Sequence, residues 1–211
     1  LLYGSFSTLA ALTFMNFVQP YILTEILHIP KDQQGSVVGN LAAVQEVVVI
    51  LAIGWVGAMS DDVGRRIIFV VGFLIIGFGY LIYPLADSVT QLVIFRVIFA
   101  VGVATVPVML SACLVDYIQE ISRGKWIGTA SIFNGLGVIT MAVVLSQSPK
   151  WFVEWGADAA SAGRYAFWLA AALCFVSAVI LHWGLKGKSG DIKRERFNVA
   201  LQLRKGLAAA R

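Results

Sequence analysis

The chain has 211 residues, of which 59% are hydrophobic and only 13% charged, and its formal charge is +4. Soluble domains carry about 25% charged residues, so this composition, with a mean hydropathy of +0.82, excludes a water-soluble fold. Apart from Arg96, the positive charges fall in gaps between apolar runs and in the C-terminal tail, which argues against nucleic acid as a partner.

Six runs are long enough to cross a hydrocarbon core of about 30 Å as helices. They cover residues 4–27, 37–59, 67–86, 92–115, 126–146 and 165–185. A spanning segment must satisfy its own backbone hydrogen bonds, and these runs lack the alternation of a barrel strand. The expected fold is therefore all-α and transmembrane, with six spans over residues 1–186 and a basic tail over 187–211. Leu1 is not preceded by a basic segment, so no signal peptide is expected, and the chain reads as a piece of a longer protein. Cys113 and Cys174 both fall inside spans and suggest no disulfide framework.

Lysines and arginines of short loops mark the cytoplasmic side. One side of a six-span chain would carry twelve of them, in the 2–3 loop, the 4–5 loop and the tail; the other would carry Lys31, Lys150 and Arg164. The N-terminus and the tail are thus expected in the cytoplasm, in a plasma (inner) membrane. Trp151, Phe152 and Trp155 in the 5–6 loop suit the outer interface, and His28 and His182 read as interfacial anchors.

The 2–3 loop, "GAMSDDVGRR", packs four charges into ten residues. Gly57 would allow close helix approach, Asp61 or Asp62 would cap the third helix, and Gly64 would take a positive φ. Arg65 and Arg66 would anchor at the headgroups. The spacing Gly57-x-x-x-Asp61-x-x-Gly64-Arg65-Arg66 also resembles the cytoplasmic loop signature G-x-x-x-D-[RK]-x-G-[RK]-[RK] of the major facilitator superfamily, with Asp62 standing where that family usually has a base. In the fourth span "FRVIFAVGVA" is similar to the family pattern R-x-x-x-G-x-G through Arg96 and Gly102, with Ala100 in place of the first glycine. "DYIQEISRG" resembles its acid-x6-R-G pattern through Asp116, Arg123 and Gly124.

The resemblance implies one half of a twelve-span transporter: a six-helix bundle of two inverted three-helix repeats, partnered by the C-terminal half of the same protein. It implies alternating access, with Asp61, Arg65, Asp116 and Arg123 as latch members at the cytoplasmic helix ends. It also turns spans one, two, four and five to a substrate cavity, which places Asn16, Gln19, Gln45, Thr105, Asn134 and Thr140 there. Pro20 and Pro107 would free backbone carbonyls beside it.

An ionisable side chain at mid-membrane marks a functional site by default, because it costs at least about 2.5–3.5 kcal/mol. Glu46 lies near the midplane of the second span and Arg96 inside the fourth, with Glu25 at the outer end of the first. The expected arrangement has Glu46 or Glu25 as a protonatable group and Arg96 as its switchable partner or as an anchor for a substrate anion. No cofactor, metal cluster or enzymatic nucleophile with a nearby base is read from the sequence. The G-P-x-x-G-G signature of drug antiporters and the P-E-S-P-R of sugar porters are both missing, so the substrate is a small molecule without further assignment. The alternative is a six-span channel or a non-transporting scaffold in the bilayer.

Overall fold

The computed structural model describes residues 1–118 and 123–185; of Arg123 only the backbone belongs to this set. The tail expected over 187–211 lies outside the described residues. Described residues form seven α-helices and no strand: α1 Leu2–Glu25, α2 Lys31–Val63, α3 Arg65–Ile82, α4 Val89–Tyr117, α5 Arg123–Ile139, α6 Ser148–Glu154 and α7 Ala159–Gly184. Six helical stretches are long and apolar enough to cross a membrane, and each coincides with one of the six runs read from the sequence.

Two details differ from the sequence reading. The second helix is 33 residues long and begins at Lys31, because its polar first turns stay helical beyond the apolar run. The fifth span is not one uninterrupted α-helix. After Ile139 it widens into a π-helical turn, Thr140–Val144, then tightens into a 3₁₀ turn at Leu145–Gln147 before α6. The wide turn brings Met141 into the core while Val143 and Val144 stay exposed.

Four helices form the interior. Tyr80 of α3 is fully buried and touches the rings of Phe14 on α1, Phe99 on α4 and Phe167 on α7, and its hydroxyl donates to the Ala11 carbonyl. Aromatic pairs of this kind contribute about 0.5–1.5 kcal/mol each beyond burial. Such packing matters in a bilayer, where lipid tails are as apolar as the core and burial alone gives no drive. The indole of Trp168 donates to the Leu81 carbonyl at 3.2 Å, satisfying one of the unpaired carbonyls at the end of α3.

By contrast, α2 and the fifth span are mostly exposed. The second span packs on the fourth and the fifth on the first, while the third meets the sixth. This contact pattern is unchanged when spans 1, 2 and 3 are exchanged with 4, 5 and 6. Two three-helix repeats that interlock in this way show a symmetry that the sequence does not display. At Gly137 the fifth span crosses α1 so closely that a Cβ would run into the Phe6 carbonyl. A side chain there would separate the two helices.

Candidate functional site: two arginine centres

The first centre lies where α2 turns into α3. Gly64 carries the turn with φ of +106°, the left-handed geometry that glycine adopts without strain. The capping expectation fails. Asp61 and Asp62 both belong to the last turn of α2, and α3 starts from Gly64 without a side-chain cap. Acids at a helix C-terminus and arginines at a helix N-terminus both oppose the helix dipole. Arg65 offsets this by pairing across helices. Its Nη1 lies 2.7 Å from Asp116 Oδ1 on α4 and donates to the Ala112 carbonyl at 2.8 Å, while its Nη2 is 3.9 Å from Asp61 Oδ1. Its side chain is 21% exposed, that of Asp116 16% and that of Asp61 50%. One guanidinium therefore ties α2, α3 and α4 together at one end of the bundle. Gly57 has open space where a Cβ would stand, so close packing within this chain does not explain it. Arg66 is half-buried, with an Nε that has no partner. The side chain of Arg123, and with it the expected Asp116–Arg123 pair, lies outside the described residues.

The second centre is inside the bundle near the other end. Arg96 sits roughly 10 Å into α4, and Gln19 lies at similar depth from the end of α1. Arg96 is 3% exposed and its Nη1 donates to Gln19 Oε1 at 2.9 Å, with Gln19 itself 2% exposed. The guanidinium carbon lies 5.6 Å from the centroid of Phe99, and fully buried Tyr83 stands beside it. Neither Glu25 nor Glu46 forms an ion pair with Arg96 in this conformation. Gln19, expected to line a cavity, is instead the buried partner of the arginine.

The other candidates are spread over the bundle. Glu46 is exposed midway along α2 with no ion pair among the described residues, and Asn16 is exposed on α1. Gln45 and Asn134 are half-buried, each with an oxygen that has no hydrogen-bond partner. Thr105 is buried and bonds back to Val101, and Thr140 bonds back to Leu136. Glu25 is half-buried at the end of α1. A cleft of about 80 Å³ between α1, α3 and α7, bridged by a 2.9 Å hydrogen bond between Tyr3 and Ser177, is lined by none of the candidates. Its lining of small and apolar side chains carries no sequence motif. Tyr83 escaped the sequence reading, since a tyrosine near a span end reads as an interfacial anchor.

A bundle of six helices long and apolar enough to cross a membrane, with arginine-centred contacts at one end and inside it, defines a multi-pass integral membrane protein. The family model of the Major Facilitator Superfamily matches residues 1–208, and the chain belongs to that family. Its fold is similar to that of the xylose transporter XylE from E. coli in an inward-open conformation, with a TM-score of 0.66 at 17% identity. That likeness covers 99% of this chain and 55% of the transporter. The magnetosome protein MamH of Paramagnetospirillum magneticum is 31% identical over 146 residues, 65% of this chain and 34% of that protein. The magnetosome protein MamZ of Magnetospirillum gryphiswaldense is 31% identical over 150 residues, 67% of this chain and 23% of that protein. The chain thus spans about a quarter to a third of the curated relatives it matches.

Proposed function

We propose that the chain is the N-terminal half of a secondary active transporter that moves a small molecule by alternating access, coupled to protons through Glu46. The observation that carries this reading is a carboxylate exposed at the middle of a spanning helix. Hydrocarbon cannot solvate it, so that face of α2 meets water or another protein segment. Asn16, Gln45 and Asn134 add polar groups on α1, α2 and α5, the helices that the six-helix unit leaves most open or that pack against them. The C-terminal half of the longer protein would close this side and complete the cavity.

In the same reading the Arg65–Asp116–Asp61 cluster is the cytoplasmic latch. It holds α2, α3 and α4 in one arrangement and releases them as the halves tilt, with Arg123 as a further member. The excess of lysine and arginine at that end supports a cytoplasmic N-terminus and tail. The plasma membrane is the first place to look for the protein. The names of the relatives make the magnetosome membrane the second, and membrane fractionation separates the two.

The test uses the natural full-length polypeptide in proteoliposomes carrying an internal pH dye. A panel of sugars, amino acids, organic anions and divalent cations is added under an imposed proton gradient. A solute-dependent pH change that Glu46→Gln abolishes, while downhill solute exchange persists, is the expected result. Solute flux that moves no protons sinks the coupling role. Ion conductance in discrete single-channel steps would favour the channel reading over the carrier.

A further inference from the structure

The Arg96 centre has a chemical imbalance that its own residues do not correct. Arg96, Gln19 and Tyr83 are each at most 3% exposed. The cluster contains one permanent positive charge and no acid. The Arg96–Gln19 hydrogen bond fixes the amide orientation, because the arginine donates and the glutamine oxygen must accept. Gln19 Nε2 therefore points elsewhere, and it has no partner. Arg96 Nε also has no partner, and the Tyr83 hydroxyl, near enough to Arg96 to accept from it, has no acceptor for its own proton. Every unsatisfied group here has a hydrogen to donate, two of the three are pure donors, and buried donors without acceptors are costly.

Water is a poor complement to such a site. It would accept from one or two donors, but its own protons would face a cationic, acceptor-poor cluster. A small monoanion satisfies the donors and the charge together. An aromatic face alone, as supplied by Phe99 at 5.6 Å, does not neutralise a buried guanidinium. Side chains from elsewhere in a longer protein are a weaker source, because Arg96, with Gln19, Tyr83 and Phe99 against it, is already only 3% exposed.

We propose that Arg96, Gln19 and Tyr83 form a buried binding site for a small monovalent anion, the counter-ion of Arg96 within the bundle. The ion is held by charge from Arg96 and by hydrogen bonds from Arg96 Nε, Gln19 Nε2 and the Tyr83 hydroxyl. Gln19 is the residue that makes the site an anion site. A carboxylate at that position would sit 2.9 Å from the guanidinium and serve as an internal counter-ion. The site belongs to the six-helix unit and does not depend on whether the whole protein transports.

The experiment is thermal unfolding of the full-length protein in nanodiscs of zwitterionic lipid. Sodium gluconate, whose anion is bulky and heavily hydrated, is replaced by chloride, nitrate or formate at constant ionic strength. The expected result is a saturable rise in Tm with a half-effect in the range of about 1–50 mM, as binding to the folded state requires. Gln19→Glu is expected to have a higher Tm in gluconate and to lose the anion response at least tenfold. Arg65→Gln should keep the response in full, which separates the buried arginine from the one at the bundle end. No response in the wild-type protein up to 100 times the lower half-effect, roughly 0.1 M, overturns the proposal. So does an unchanged response in Gln19→Glu, or loss of the response in Arg65→Gln alone.

Discussion

Arg65 and Arg96 stand at opposite ends of the same helix bundle and solve the same problem differently. Arg65 is 21% exposed and has two carboxylates and a carbonyl within reach; Arg96 is 3% exposed and has one neutral amide. At a helix end, charges can be gathered from three chain segments, partly hydrated, and separated again at modest cost. Inside the bundle the same guanidinium has no such freedom, so its charge is either matched on the spot or carried as a standing cost. The proposed latch draws on the first arrangement, which can separate at modest cost, and the proposed anion site on the second, which leaves a buried charge to be matched.

Removing one partner at each centre gives the largest expected effects. Arg65→Gln removes the close ion pair to Asp116 and the charged hydrogen bond to the Ala112 carbonyl and should cost about 2–3 kcal/mol of stability, the range for losing hydrogen bonds to a charged group. Gln19→Glu should move in the opposite direction, gaining about 1–3 kcal/mol by giving Arg96 a charged partner. If both variants destabilise alike, the two centres do not differ in how their charge is matched. Detergent or nanodisc melting curves check both.

A double-mutant cycle sharpens the first centre. The Arg65–Asp116 coupling, at 2.7 Å and mostly buried, is expected at about 1–2 kcal/mol. The Arg65–Asp61 coupling, at 3.9 Å with Asp61 half exposed, should stay below about 0.5 kcal/mol. Equal couplings would mean that Arg65 is held by α2 as firmly as by α4.

The smallest effect concerns a third kind of charge. Asp158, outside the membrane spans, caps α7 by accepting from the Ser161 backbone N–H at 3.0 Å. That hydrogen bond holds its carboxyl below the usual value of 3.8. A carboxyl whose folded pKa is depressed adds stability above its unfolded pKa and loses it as pH falls through the folded one. Wild-type protein should therefore lose slightly more stability than Asp158→Asn between about pH 5 and pH 3. Parallel pH profiles would mean that the cap contributes no charge effect.

Much of this protein is legible from composition and spacing. The six spans, the positive φ at Gly64 and the concentration of charge around Arg65 all follow from local chemistry. Apolar length, glycine freedom and charge are properties a residue carries wherever the chain goes. The π-helical turn after Ile139 was not legible, because it depends on Met141 finding a place in the core. Nor was the capping failure: Asp61 and Asp62 stay in the last turn of α2, and Arg65 pairs with Asp116 on α4, 51 positions along the chain, a contact local spacing does not reveal. Glu46 and Arg96 both looked like halves of one mid-membrane pair, and spacing alone could not show that α1 brings Gln19 to the arginine first.

That this is a helical membrane protein, and on which stretches its helices run, is set segment by segment, because bilayer thickness and backbone hydrogen bonding act on each segment alone. Which span packs on which, and which side chain answers each arginine, emerges only in the packed bundle. Those outcomes depend on depth and rotation of one helix against another, and a linear sequence does not contain either until the helices have packed.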